Sequence, residues 1–120
     1  MEKFYFLVSE LNKNLAYETY KTATMQNGWT GRCDYAKNAY GNVKLYLQVV
    51  AGTVTGLTII TNLPDGYRPI KNTALQFVST EGKQANLNAY LNPNGNIYLA
   101  LDSSFVNGIT YIGVFNYYIS

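Results

Sequence analysis

The side chains with most scope for covalent or metal chemistry are three aspartates, Asp34, Asp65 and Asp102, and a single thiol, Cys33. A glycoside hydrolase needs two carboxylates facing one cleft. Nothing in the spacing of these three requires that, and a turn or strand face explains each. Cys33 lies in the strand-like run WTGRCDY and reads as a small buried apolar residue. The chain has no histidine, so the Cys–His pair that activates a thiolate cannot form. One cysteine and no histidine also leave no intramolecular disulfide and no structural zinc site. The run NPNGN imitates the alternating ligands of a calcium loop without its acids, and reads as a turn. The expectation is a chain that is not an enzyme and needs no metal or cofactor.

Binding chemistry is better represented. Ala85, Leu87, Ala89 and Leu91 alternate with Asn86, Asn88 and Tyr90, and after the NPNG loop Ile97, Leu99 and Leu101 alternate with Asn96, Tyr98 and Asp102. The two runs predict a hairpin, with Asn94-Gly95 suited to a type I′ turn. Its outward face would carry Asn86, Asn88, Tyr90, Asn96, Tyr98 and Asp102. Tyrosine rings offer apolar area to the C–H face of a pyranose, and Asn and Asp pair with its hydroxyls. The competing reading is an ordinary solvated strand face, because tyrosine favours strands in any case.

The elements that must position this face follow from composition and period. The chain has 120 residues, 48% of them hydrophobic, 15% aromatic with twelve tyrosines, and only 13% charged. Low charge with abundant Tyr, Asn, Thr and Gly suits one all-β domain. From Lys21 onward the apolar period is two, with turn signals every 8–12 residues, as in a sandwich or barrel. Val43, Leu45, Leu47 and Val49 alternate with Lys44, Tyr46 and Gln48, and Leu57 and Ile59 open the next strand. That strand ends at LPDGYRP, where Pro64, Asp65 and Gly66 fit positions i+1 to i+3 of a type I turn. Arg68 precedes Pro69 and is pushed into an extended conformation. Pro64, Gly66, Tyr67, Arg68 and Pro69 therefore read as a structural corner, with Tyr67 and Arg68 packing and bonding to lock it.

The stretch NGWTGRCDYAKNAYGNVKLYLQVVAGTVTGLTIITNLPDGYRP also resembles the C-terminal head domains of phage tail fibres, receptor-binding proteins and prophage baseplate proteins. The matching residues are Asn27-Gly28-Trp29, Tyr35, Lys37, Val43, Leu45, Gly52-Thr53, Gly56, Ile59 and Leu63 to Pro69, about half the chain. The resemblance implies an antiparallel β-sandwich of jelly-roll type, assembled as a homotrimer on a phage tail or baseplate. It implies adhesion to a bacterial cell-surface saccharide and contact with other tail or baseplate proteins. The implied location is the virion, after synthesis in the bacterial cytoplasm. Two other readings stay open: a structural tail-tip module with no glycan affinity, and a small glycan-degrading enzyme. Full-length fibre proteins carry a long shaft and tail-attachment region with no counterpart here.

Two ends of the chain bear on assembly. Phe4, Leu7, Val8, Leu11 and Leu15 recur at helical spacing, predicting a short amphipathic helix that needs a partner surface. The SELNKNL run resembles the stem that precedes such heads, so residues 1–20 are read as a helical stem and 21–120 as the head. The final strand TYIGVFNYYIS is apolar on nearly both faces, which suggests a central strand or a subunit contact. In a trimer, Ile112, Val114 and Tyr118 would line the interface while Phe115 and Ile119 fill the core. Trp29 is read as a packed anchor in preference to a sugar platform. A net charge of +2 and scattered Lys and Arg give no argument for nucleic acid or an anionic membrane. The apolar run in MEKFYFLVSELNKN is too short and broken for a signal peptide. No apolar run approaches the roughly 20 residues of a membrane span.

Overall fold

Period-two alternation and frequent turns are realised as eight strands. The computed structural model describes residues 15–52, 58–79, 87–99 and 108–119, with only the backbone of Leu87 and Asn88. The strands are β1 (Lys21–Ala23), β2 (Thr30–Lys37), β3 (Asn42–Val50), β4 (Thr58–Asn62), β5 (Thr73–Ser79), β6 (Leu87–Leu91), β7 (Asn96–Leu99) and β8 (Thr110–Tyr118). They form one antiparallel sheet in the order β1-β2-β3-β8-β5-β6-β7-β4.

The two outer strands of that order meet. Just beyond β1, Met25 pairs with Thr61 of β4, and the Gln26 N–H donates to Ile60 O at 2.8 Å. The Thr61 hydroxyl donates to Thr24 O (2.8 Å) and the Asn27 amide to Ile59 O (2.6 Å). An unpaired strand edge leaves a row of backbone groups unsatisfied, and these bonds occupy that of β4. The expected two-sheet sandwich is therefore a single sheet rolled into a nearly closed, barrel-like form.

Alternation decides which side chains fill it. Val43, Leu45, Leu47 and Val49 are buried, as are Ala89, Leu91, Ile97 and Leu99. Along β4 the buried residues are Thr58, Ile60 and Thr61, the last two adjacent because the register against β7 slips between Ile59 and Thr61. A bulge puts two neighbours on one side where strict alternation would split them. Trp29 is buried at the start of β2, in line with an anchor.

The central position expected for the last strand is seen: β8 lies between β3 and β5. Tyr111 and Tyr117 point inward and are buried, whereas Val114 and Tyr118 point outward and are exposed. Ile112 is half-buried on that same outward side. The predicted N-terminal helix lies, up to Asn14, outside the described residues. Beyond it, the Glu18 N–H donates to Lys37 O (3.1 Å) and Lys44 Nζ sits 5.1 Å over the Tyr17 ring.

Both predicted turns differ in detail. In LPDGYRP the closing bond runs from the Tyr67 N–H to Pro64 O (3.2 Å), one residue later than expected. Gly66 thus occupies position i+2 with φ +89°, the positive value a type II turn demands and glycine supplies freely. At the hairpin, the Gly95 N–H donates to Asn92 O (2.8 Å) and the Asn92 N–H to Asn96 O (2.9 Å). Asn27 is the one non-glycine with positive φ among the described residues, so Asn94 does not adopt the conformation of a type I′ turn. The loop is a type I turn followed by Gly95 at φ +89°, a G1 bulge. The physical reason is Pro93: a two-residue loop would place it in the ladder, where it has no N–H to donate.

Cys33 is fully buried, and burial together with the charge of neighbouring Asp34 pushes its thiol up to about 12. At pH 8 almost no thiolate exists to react. Ellman's reagent is expected to label no thiol in the native protein and one in guanidinium. Fast labelling of the native protein would contradict this burial.

Candidate functional site

Of the six residues predicted for the hairpin face, Tyr90 and Tyr98 come together. They are directly paired between β6 and β7, and their rings stack with centroids 5.5 Å apart and planes 29° from parallel. Both are half-buried. The same row continues to exposed Ala74 on β5, opposite Tyr90, and to half-buried Ile59 on β4, opposite Tyr98. A small alanine beside Tyr90 leaves that flank of the aromatic pair open. Cross-strand aromatic pairing itself adds roughly 0.2–1 kcal/mol to sheet stability, so the pair serves the fold as well as any ligand.

Asn96 has a different duty. Its Oδ1 accepts from Asn62 Nδ2 at 2.6 Å, and its backbone N–H donates to Asn94 Oδ1 at 3.0 Å. It joins the turn to the end of β4. Asn88 stands opposite Gln76 in the backbone register, while Asn86 and Asp102 lie outside the described residues.

Beneath this turn sits the LPDGYRP corner, which links β4 to β5 past the β6–β7 hairpin. The Leu63 N–H donates to Gly95 O (2.8 Å), and Arg68 Nε donates to Leu63 O (2.8 Å). Arg68 also pairs with exposed Asp65 at 2.6 Å, a contact that solvent largely screens. Tyr67 is buried edge-on against Tyr35, with ring centroids 4.7 Å apart. Its hydroxyl accepts from Lys21 Nζ (2.8 Å) and donates to the Glu18 carboxylate. Lys37 Nζ lies 4.6 Å from the Tyr67 ring centre and donates to Gly66 O at 3.1 Å. The Tyr117 hydroxyl, held protonated by burial, donates to Tyr67 O at 2.6 Å. Burial first, and then the Glu18 bond, raises the Tyr67 hydroxyl above its ordinary range. The bond from Tyr67 holds the Glu18 carboxyl below its own. The side chains of this motif are committed to the scaffold.

Sequence reasoning missed a second place. On the outer side of β1, β2, β3 and β8, Tyr20, Asp34, Tyr46 and Val114 line an open pocket of about 260 Å³. Asp34, Tyr46 and Val114 stand side by side in register on three strands, so no local motif could have announced them. The available signal was parity, and it was plain only for Tyr46, which alternates with the inward Leu45 and Leu47. Among the described residues no group of three or more side chains is arranged to hold a metal ion.

The class defined by this geometry is an all-β, antiparallel, nearly closed sheet with aromatic side chains on its outer face. One solved structure that it resembles is the receptor binding protein (gp15) of Listeria phage PSA, with a TM-score of 0.72 at 17% sequence identity. The likeness covers 99% of this chain and 74% of that one. No family model matches the sequence, and no curated protein matches it.

Proposed function

We propose that the chain is the host-recognition head of a phage or prophage tail, binding a bacterial surface saccharide without catalysis. The observation that carries this reading is the likeness to a phage receptor binding protein along nearly the whole chain. The stacked Tyr90–Tyr98 pair, flanked by Ala74, supports a sugar-facing role for the hairpin. Asn86, Asn88 and Asp102 extend that face in the proposal, with Asn96 bracing its turn.

Assembly is part of the proposal. Tyr118 is 62% exposed on the outward side of a central strand, near its end, which suits burial against copies of the same chain. A homotrimer on the virion would multiply weak sugar contacts by avidity. Other tail or baseplate proteins would hold its far end. Equilibrium sedimentation of the purified chain tests the trimer, and a monomeric mass would overturn it.

Binding is tested by pull-down on a panel of bacterial walls. The Tyr90→Ala/Tyr98→Ala double variant is expected to lose wall binding at least tenfold. Its stability should fall by only about 1 kcal/mol, the cost of a half-buried cross-strand pair. Full wall binding by the double variant would move the site elsewhere. If the wild-type protein binds no wall, the structural tail-module reading takes over.

A further inference from the structure

We propose that the pocket between Tyr20, Asp34, Tyr46 and Val114 is a saccharide subsite that takes one neutral sugar ring. The proposal rests on the adhesin reading and locates a site that reading does not contain.

Four features favour such an occupant. The first is shape: about 260 Å³ falls below the roughly 300–1,000 Å³ of pockets that bury drug-sized ligands, and suits a single ring. The second is the wall. Tyr20 is 47% exposed and Tyr46 half-buried, so two phenol rings offer apolar area to a ring's C–H face, with the Val114 methyls alongside.

The third is a held acceptor. The Asp34 carboxylate is only 16% exposed, and both oxygens are already oriented: Oδ1 accepts from the Thr22 hydroxyl (2.7 Å) and Oδ2 from Arg32 Nε (3.2 Å). Each oxygen retains a lone pair, so paired hydroxyls would meet a carboxylate that need not be ordered on binding. Tyr46 is steadied in turn, its hydroxyl donating to Gln48 Oε1 at 3.1 Å.

The fourth is charge. Arg32 pairs with Asp34 from a side chain that is 67% exposed, and offsets part of its charge. A bare carboxylate between two aromatic rings would select an ammonium group. A carboxylate paired with its own guanidinium attracts a cation less, and still offers a polyol its acceptors.

The test is an NMR titration of the full chain, in the oligomer it forms in solution. The probes are methyl glucoside, methyl galactoside and methyl N-acetylglucosaminide at millimolar concentration, with tetramethylammonium chloride as the cationic control. At least one glycoside is expected to give saturable shifts at the Tyr20 and Tyr46 ring protons and the Val114 methyls. Tyr46→Ala and Asp34→Asn should each weaken that binding at least tenfold. Tyr46→Phe, which keeps the ring, guards against a folding defect and should retain most of the affinity.

The proposal is overturned if no glycoside shifts these residues, if Tyr46→Ala binds like wild type, or if tetramethylammonium alone occupies the pocket. Wall pull-down separates the two readings. A silent pocket with walls still captured removes only the subsite. A glycoside in the pocket with no wall captured removes the adhesin reading and leaves the subsite standing.

Discussion

Alanine at Gly95 is expected to lower the melting temperature by roughly 10 °C. Gly95 has φ +89°, where an L-residue costs about 1–2 kcal/mol. A Cβ there would lie 2.6 Å from Arg68 Nε and nearer still to Leu63 O. Those atoms are already bonded to each other, and the Leu63 N–H donates to Gly95 O. The added methyl must therefore part the hairpin turn from the end of β4 and loosen two hydrogen bonds worth about 1 kcal/mol each. The total is about 3 kcal/mol, equivalent to the stated shift for a domain of this size. Gly95→Asn separates the two causes, since asparagine tolerates positive φ but carries the same Cβ. It should fail to rescue. Thermal unfolding followed by circular dichroism reads both variants, and a wild-type melting temperature for Gly95→Ala would refute the packing of corner against turn.

Tyr67→Ala should be costlier still, about 4 kcal/mol, as for other buried aromatics cut to alanine. Tyr67 is 5% exposed, and its ring is the surface on which Tyr35 and the Lys37 ammonium pack. Tyr67→Phe keeps that ring and loses only the hydroxyl set between Lys21 and Glu18. It should cost about 1 kcal/mol. Urea unfolding gives both values, and hydrogen exchange adds a local reading. The Glu18 N–H, bonded to Lys37 O, should exchange faster in Tyr67→Phe while the amides of β3 and β8 keep their protection. Equal losses for Phe and Ala would mean that the hydroxyl, not the ring, holds the corner.

How far the fold was readable depended on how local its cause was. Alternation identified the buried faces of β3, β6 and β7 because a strand's side chains change sides at every residue. It failed at Ile59–Thr61, where a bulge set by the partner strand breaks the period. The NPNG hairpin was visible, but its type was not, since Pro93 excludes the two-residue loop that Asn94-Gly95 alone suggests. Tyr90 and Tyr98 could be placed on one face from parity. Their stacking required the register, which makes them direct partners.

By itself, then, the sequence determined most of the strand-forming segments though not β1 or β5, the inward side of several of them, the buried inert thiol, and the positions of the two tight corners. Each follows from steric preferences within a few residues. Only the tertiary structure decided that β8 runs between β3 and β5, that the segment after β1 closes onto β4, and that Tyr20, Asp34, Tyr46 and Val114 meet. Those contacts join residues far apart in the chain, and pairing between distant strands is chosen by the fit of the whole core, which no local pattern records.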